Sequence, residues 1–279
     1  NFLDNMDIFL RRSYYHHTEY ESNGSVAAEF VQRLYSGRIL LNQKKSNIGN
    51  IALNGSYGID ISFNDRKTGG FVFTPPAKTV SFAPFIFEDI TLGTWFIQGG
   101  IRFSFDKYNP EVIATTKHPE NVVNKEFLSK SFSFSVMKNY FTNFYSGINL
   151  YHSEIAPTLE DLYSEGPHLA AYSYEIGNSK LGKETGNGLE IFSFIQANNV
   201  FIMLTGFYNH YDSYIVSRNS GEINYSILLP IYKAEGLNAE IFGIEAAVKY
   251  SISGFKFEGN ISSVRSEERR VGKECATGC

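Results

Sequence analysis

The segment IALNGSYGIDISF, Ile51 to Phe63, sorts by parity. Ile51, Leu53, Gly55, Tyr57, Ile59, Ile61 and Phe63 fall on one side, and Ala52, Asn54, Ser56, Gly58, Asp60 and Ser62 on the other. Side chains alternate between the faces of a β-strand, so about 13 residues, or roughly 43 Å at the usual rise, present one oily face. Strands of water-soluble domains run to about 5 or 6 residues, whereas a tilted strand crossing a bilayer needs about 9 to 11. A strand this long, apolar in front and small and polar behind, fits a sheet with lipid on one side and a wet lumen on the other.

The pattern recurs. From Trp95 to Asp106, Trp95, Ile97, Gly99, Ile101, Phe103 and Phe105 oppose Gln98, Arg102, Ser104 and Asp106. Leu128, Phe132, Phe134 and Val136 oppose Ser129, Ser131, Ser133 and Ser135, and Phe242, Ile244, Ala246, Val248 and Tyr250 oppose Gly243, Glu245, Ala247 and Lys249. Near the start Met6, Ile8, Leu10 and Tyr14 oppose Asp7, Arg11 and Ser13, with Phe9 and Arg12 breaking the rule. Such segments predict about eleven strands, near 6–20, 27–43, 49–62, 80–89, 93–106, 126–138, 141–151, 185–196, 199–216, 229–251 and 255–264. Short turns near 44–48, 90–92, 139–140, 197–198 and 252–254 then alternate with longer loops near 63–79, 107–125, 152–184 and 217–228. The connector near 21–26 is short on the long-loop side. This asymmetry predicts an all-β fold, a partial transmembrane antiparallel up-and-down β-barrel.

Composition agrees where it discriminates. The 24 Phe and 18 Tyr raise the aromatic share to 15%, while charged residues are only 19%, few for a surface that meets water on every side. No run of about 18 apolar residues occurs and mean hydropathy is −0.20, which excludes a helical span and leaves a barrel open. The chain opens without a basic-then-apolar leader. RSEERRVGKEC, Arg265 to Cys275, breaks the Phe/Tyr/Ser composition and resembles the conceptual translation of a sequencing adapter, so the barrel region is expected at 1–264 and a non-native tail at 265–279. Both cysteines, Cys275 and Cys279, lie in that tail, leaving the rest without thiol chemistry. Four of the 25 basic and three of the 29 acidic residues are also there, so the remainder carries a mild net negative charge, which argues against nucleic acid as a partner.

Ala156 to Glu184 reads APTLEDLYSEGPHLAAYSYEIGNSKLGKE. Pro157, Thr158, Leu159, Leu162 and Tyr163 make one box, and Gly177, Asn178, Leu181 and Glu184 a second, placed just before a strand. The two boxes resemble the loop-and-strand segment of TonB-dependent outer-membrane receptors. Ile155 stands where the family often has Arg, and Ser179 and Gly182 stand where it has prolines. GGIRFSFD (Gly99 to Asp106) and AEIFGIEAAVKY (Ala239 to Tyr250) are similar to family strands. The resemblance implies a barrel of about 22 strands in the outer membrane of a Gram-negative bacterium, of which this chain would hold about half, without plug, coupling box or closing strand. It implies uptake of a scarce nutrient, with outer-membrane lipid, a small nutrient or metal ligand, and a TonB-type energy-coupling protein acting through the plug as partners. A passive diffusion porin and a soluble β-rich surface or adhesin module are the alternatives.

YSEGPHLA, Tyr163 to Ala170, is similar to a stretch in zinc-uptake-type members of that family. His168, with His152, Glu154, Glu160, Asp161, Glu165 and Glu175, puts imidazole and carboxylates in one extracellular loop, ligand types that suit zinc, and His168 is the metal candidate. Their spacing is loose, and a solvated loop is acidic anyway. The expectation is therefore transported zinc or a metal chelate, with no resident cofactor. In YYHHTEYE, Tyr14 to Glu21, residues His17, Glu19 and Glu21 share the lumen face near the rim while His16 points to the other face. His118 and His210 are isolated. No nucleophile, metalloprotease, Walker or dinucleotide motif is present, so the sequence predicts no enzyme.

Overall fold

The computed structural model describes residues 2–20, 23–70 and 73–269. Their strands are β1 (Leu3–Tyr20), β2 (Val26–Gln43), β3 (Ser46–Ile48), β4 (Ile51–Gly70), β5 (Ala77–Leu92), β6 (Trp95–Pro110), β7 (Lys125–Phe141), β8 (Phe144–Ile155), β9 (Glu165–His168), β10 (Ser173–Ile176), β11 (Glu184–Ala197), β12 (Val200–Asn224), β13 (Leu229–Ile252) and β14 (Phe255–Arg269). One short helix, α1 (Leu159–Tyr163), and two 3-10 turns complete the regular structure. Among the described residues no helix is long and apolar enough to cross a membrane.

The strands form a single 14-stranded sheet in which the long members pair antiparallel in chain order, with β14 on β13 at one edge and β1 at the other. These long strands are the eleven that alternation predicts; the three additions, β3, β9 and β10, are three or four residues long and lie in connectors. Several strands outrun the expectation. β4 continues to Gly70, β5 starts at Ala77 and β12 reaches Asn224, so the connectors are shorter than the loops expected near 63–79 and 217–228. The physical reason lies on the outer face, where apolar Phe63 gives way to Asp65 and Lys67: the oily pattern ends with the membrane, but backbone pairing continues into water. The two long connectors are those after β6 and after β8.

Register fixes the faces. Ile61, Phe82, Phe105 and Leu128 stand side by side on β4 to β7, all well exposed, with the Phe82 and Phe105 rings 6.2 Å apart. One residue along, Arg38, Asp60 and Ala83 form a row on the opposite face, and Ala83 is fully buried. The first row faces lipid and the second the lumen, as the parity of Ile51 to Phe63 requires. Trp95, Tyr140, Phe255 and Phe257 ring the lipid face at the short-turn end, where Lys138 lies 4.8 Å from the Trp95 ring. Both exceptions in β1 have partners: Arg12 stacks 5.8 Å over Tyr35 at the outer rim, and Phe9 pairs with Arg38 in the lumen.

β14 runs five residues beyond the composition break, placing Arg265 opposite Phe242 and Glu267 opposite Glu240. Residues 270–279, with Cys275 and Cys279, lie outside the described residues, as does Glu21.

Replacing Ile59 with Arg should cost about 2 to 4 kcal/mol at mid-bilayer, and replacing Ser56, on the lumen face, far less. Urea titration of the complete barrel in lipid vesicles measures both; equal costs would contradict the face assignment.

Candidate functional site at the extracellular end of the lumen

The long connector after β8 folds back onto the lumen wall. Thr158 caps α1 by accepting a hydrogen bond from the Asp161 amide at 3.1 Å, while Asp161 Oδ2 accepts from the Thr158 amide and hydroxyl at 2.8 and 2.7 Å. This reciprocal box satisfies donors that a helix start would otherwise leave bare. α1 buries Leu159, Leu162 and Tyr163 against Ala77, Leu181 and Ala234, with Tyr108, Phe127 and Ile215 packed around them. The cluster joins five strand-borne residues to the loop, and it is the only buried apolar cluster found among the described residues.

The second box closes over the first. Gly177 donates to the Ser164 carbonyl at 2.7 Å and Asn178 to that of Asp161 at 2.7 Å. A Cβ at Gly177 would sit 2.6 Å from the backbone nitrogens of Tyr163 and Ser164, so only glycine allows this approach. Glu184 accepts from the Ile215 amide at 3.1 Å, beside the register shift between Tyr211 and Tyr214. Pro157 is almost fully buried. The family boxes therefore hold the loop in place.

β9 and β10 form a small hairpin that adds β10 in parallel to β13. Tyr174 donates to Glu165 at 2.9 Å and receives Lys117 Nζ, whose ammonium lies 4.6 Å from the Tyr174 ring. Burial, then the Glu165 carboxylate, pushes the Tyr174 phenol up, and burial alone raises Tyr163 to about 12. Both phenols remain protonated donors at neutral pH, Tyr163 to the Val123 carbonyl at 2.7 Å.

The structure brings some candidates together and separates others. His168 pairs with Glu175 at 2.8 Å and stacks on Phe73 with ring centroids 4.5 Å apart. Glu160 is held by Arg66 at 2.5 Å, and Asp161 serves the helix cap. His152 and Glu154 belong to β8, where His152 pairs in register with lipid-side Phe132 and with Asn187, at 2.8 Å to the latter's amide oxygen. Glu154 takes Lys183 at 2.5 Å. Neither reaches the loop hairpin, and the described residues hold no group of three or more His, Cys, Asp or Glu arranged for a metal ion. The carboxylates that the sequence offers as ligands are bound to partners of their own.

His17, Glu19, Glu160 and His168 do meet. They line one cavity of about 400 Å³ between the loop and the β1–β2 wall, with Tyr15, Phe30, Arg66, Phe73 and Leu169. His17 and Glu19 share the lumen face as the sequence predicts, 3.4 Å apart, while His16 turns outward to Glu29. Arg66 and Phe73 escape sequence reasoning: the parity of β4 places Arg66 in the lumen, but nothing local announces its partner 94 residues away.

A family model described as TonB-dependent receptor-like β-barrel matches residues 1–273. The chain belongs to this family. Solved structures share the fold at low identity. A copper transporter, OprC, superposes with a TM-score of 0.75 at 12% identity over 96% of this chain and 45% of that one. The hemophore receptor HasR of Serratia marcescens, solved as a double mutant with its hemophore HasA and heme, gives 0.70 at 10% identity over 93% and 49%. The siderophore receptor PiuA of Acinetobacter baumannii gives 0.66 at 13% over 99% and 46%. The chain thus spans about half the length of each. TonB-dependent receptor barrels lie in the Gram-negative outer membrane, which assigns the apolar face to outer-membrane lipid and displaces the porin and soluble-module alternatives. The family consists of receptors and transporters.

Replacing Gly177 with Ala should separate the second box from α1 and loosen the loop. Limited proteolysis of the complete receptor in detergent should then cut within 164–182 faster than in wild type. An unchanged cleavage rate would contradict the packing described.

Proposed function

We propose that this chain is part of the barrel of a receptor that takes up a scarce nutrient across the outer membrane, driven by a TonB-type energy-coupling protein. Its ligand is a small metal chelate with an aromatic or planar portion. The observation that carries this reading is the cavity of about 400 Å³ between loop and lumen wall, lined by Tyr15, His17, Phe30, Phe73 and His168. Pockets for small organic ligands span about 300 to 1,000 Å³, far more than a bare cation fills. The chemistry of the lining agrees: a naked zinc ion needs about four donors, whereas Glu160 and Glu175 are occupied by Arg66 and His168. Stacked rings such as Phe73 on His168 offer a flat apolar face to a planar chelate. Zinc enters this reading only within a chelate. Residues 265–279 are proposed to be foreign to the receptor and play no part in it.

The complete receptor in detergent should bind ferric catecholate, as an aromatic chelate probe, and show no saturable binding of zinc chloride alone. Replacing His168 with Ala should weaken the chelate by roughly fivefold or more, the worth of a lost aromatic stack. Titration calorimetry reads both. Saturable zinc binding that vanishes with His168 would replace the chelate by a bare cation, and chelate affinity indifferent to His168 would move the ligand away from this chamber.

A further inference from the structure

A second polar cluster sits on the lumen wall, and neither the loop nor the chamber uses it. Arg38 and Asp60 pair across β2 and β4, and Arg102 reaches the same carboxylate from β6. Arg38 Nε and Nη2 donate to Asp60 Oδ1 and Oδ2 at 2.5 and 3.0 Å, and Arg102 Nη1 donates to Oδ2 at 2.7 Å. Both guanidinium carbons lie 5.7 Å from the centre of the Phe85 ring. Phe85 can lie there because β4 carries Gly58 beside it, where a Cβ would come within 2.3 Å of the ring. Arg11, from β1, lines the same lumen cavity of about 600 Å³, with Ser36, Ser62 and Ser81. Among the described residues no carboxylate pairs with Arg11.

Charge and depth make this arrangement unusual. Two guanidiniums share one carboxylate, a third lies beside them with no carboxylate of its own among the described residues, and the same strands turn Ile39, Ile59 and Ile101 outward at that level, so an apolar layer backs the cluster. A lock that only tied strands together would need one arginine for one carboxylate. Excess positive charge against a low-dielectric wall is costly without an anion to offset it. The Arg38 and Arg102 side chains are 51% and 38% exposed among the described residues, so the donors that Asp60 does not use face the lumen. Guanidinium forks match the planar geometry of carboxylate and phosphate, and the serine hydroxyls add neutral donors around them.

We infer that Arg11, Arg38 and Arg102 form an anion-binding site on the lumen wall, selective for a small molecule bearing several carboxylate or phosphate groups. The site lies six positions below the chamber on both β1, from His17 to Arg11, and β4, from Arg66 to Asp60, about 20 Å at the usual strand rise. An anionic ligand leaving the chamber meets it next. That role in uptake rests on the receptor reading above, whereas anion binding itself does not.

Citrate serves as the probe, with glycerol as its neutral counterpart, in titration calorimetry on the complete receptor in detergent. Saturable citrate binding is expected, absent for glycerol and weakened by added salt. R11M and R102M should each weaken it by roughly tenfold or more, as loss of a charged hydrogen-bond partner implies. D60N should tighten it, because it frees two guanidiniums, and a purely structural role for Asp60 would not move affinity in that direction. H168A should leave citrate unaffected, which separates failure of this site from failure of the chamber. If R102M does not yield the heat-modifiable folded form, R102K keeps the charge, removes the fork and should still weaken binding. No saturable citrate binding, or affinity indifferent to R11M, R102M and D60N, would overturn the site. An acidic stretch of the receptor lying on the arginines would give the first of those results.

Discussion

Inside a hydrocarbon layer a backbone amide has no water to bond, and every unpaired one costs several kcal/mol. The rest of the structure depends on that constraint. It turns the membrane-crossing segments into an uninterrupted antiparallel ladder, in chain order, with each strand paired on both sides except β1 and β14 at the edges. Once the ladder is obligatory, alternation of side chains is its only freedom, and the sequence uses it to sort Ile, Phe and Leu toward lipid and Ser, Asp, Arg and Gly toward the lumen. Oily faces and charged rows lie one residue apart along the same strand, as at Ile59 and Asp60.

The same rule explains where function can sit. Nothing irregular is tolerated on the lipid side, so the long connector after β8 has to find its packing inside or above the barrel. It does so with a five-residue helix, a capping box and one apolar cluster built against the lumen wall. The residues that mark the family in this segment, from Pro157 to Glu184, therefore act as fasteners. The residues that line the chamber, such as Tyr15, Phe73 and His168, come from β1, the β4–β5 connector and β9, and meet only because the fasteners bring the loop down. Position and chemistry are assigned to different residues, which lets the lining vary while the loop keeps its place.

Much of this was legible along the chain and some of it was not, for definite reasons. Period-two alternation marked the long strands and their faces, because lipid imposes it on every one. Alternation understates the strand ends, since past Phe63 or Val80 the outward residues become charged while pairing continues. The sequence groups His152 with the loop, yet it shares parity with Ile148 and Leu150, so β8 carries it to the outer face. The pairs that build the chamber, Arg66 with Glu160 and Phe73 with His168, join segments far apart in sequence, and no local pattern encodes such contacts. Carboxylates that read as metal ligands in the sequence found arginine, lysine, tyrosine or helix-cap partners in the fold, an outcome composition alone does not distinguish.

The face assignment is what every further statement stands on, and residues 51–63 allow it to be measured directly. The complete receptor would be reconstituted in lipid vesicles with single cysteines, each spin-labelled, placed in turn from Ile51 to Phe63, a stretch that contains no cysteine of its own. Accessibility to oxygen, which concentrates in lipid, and to a water-soluble nickel chelate would be read at each position. A strict period of two is expected, with Leu53, Ile59 and Ile61 open to oxygen and Asn54, Asp60 and Ser62 open to the chelate. A profile without that period, or one with the two faces exchanged, would contradict it.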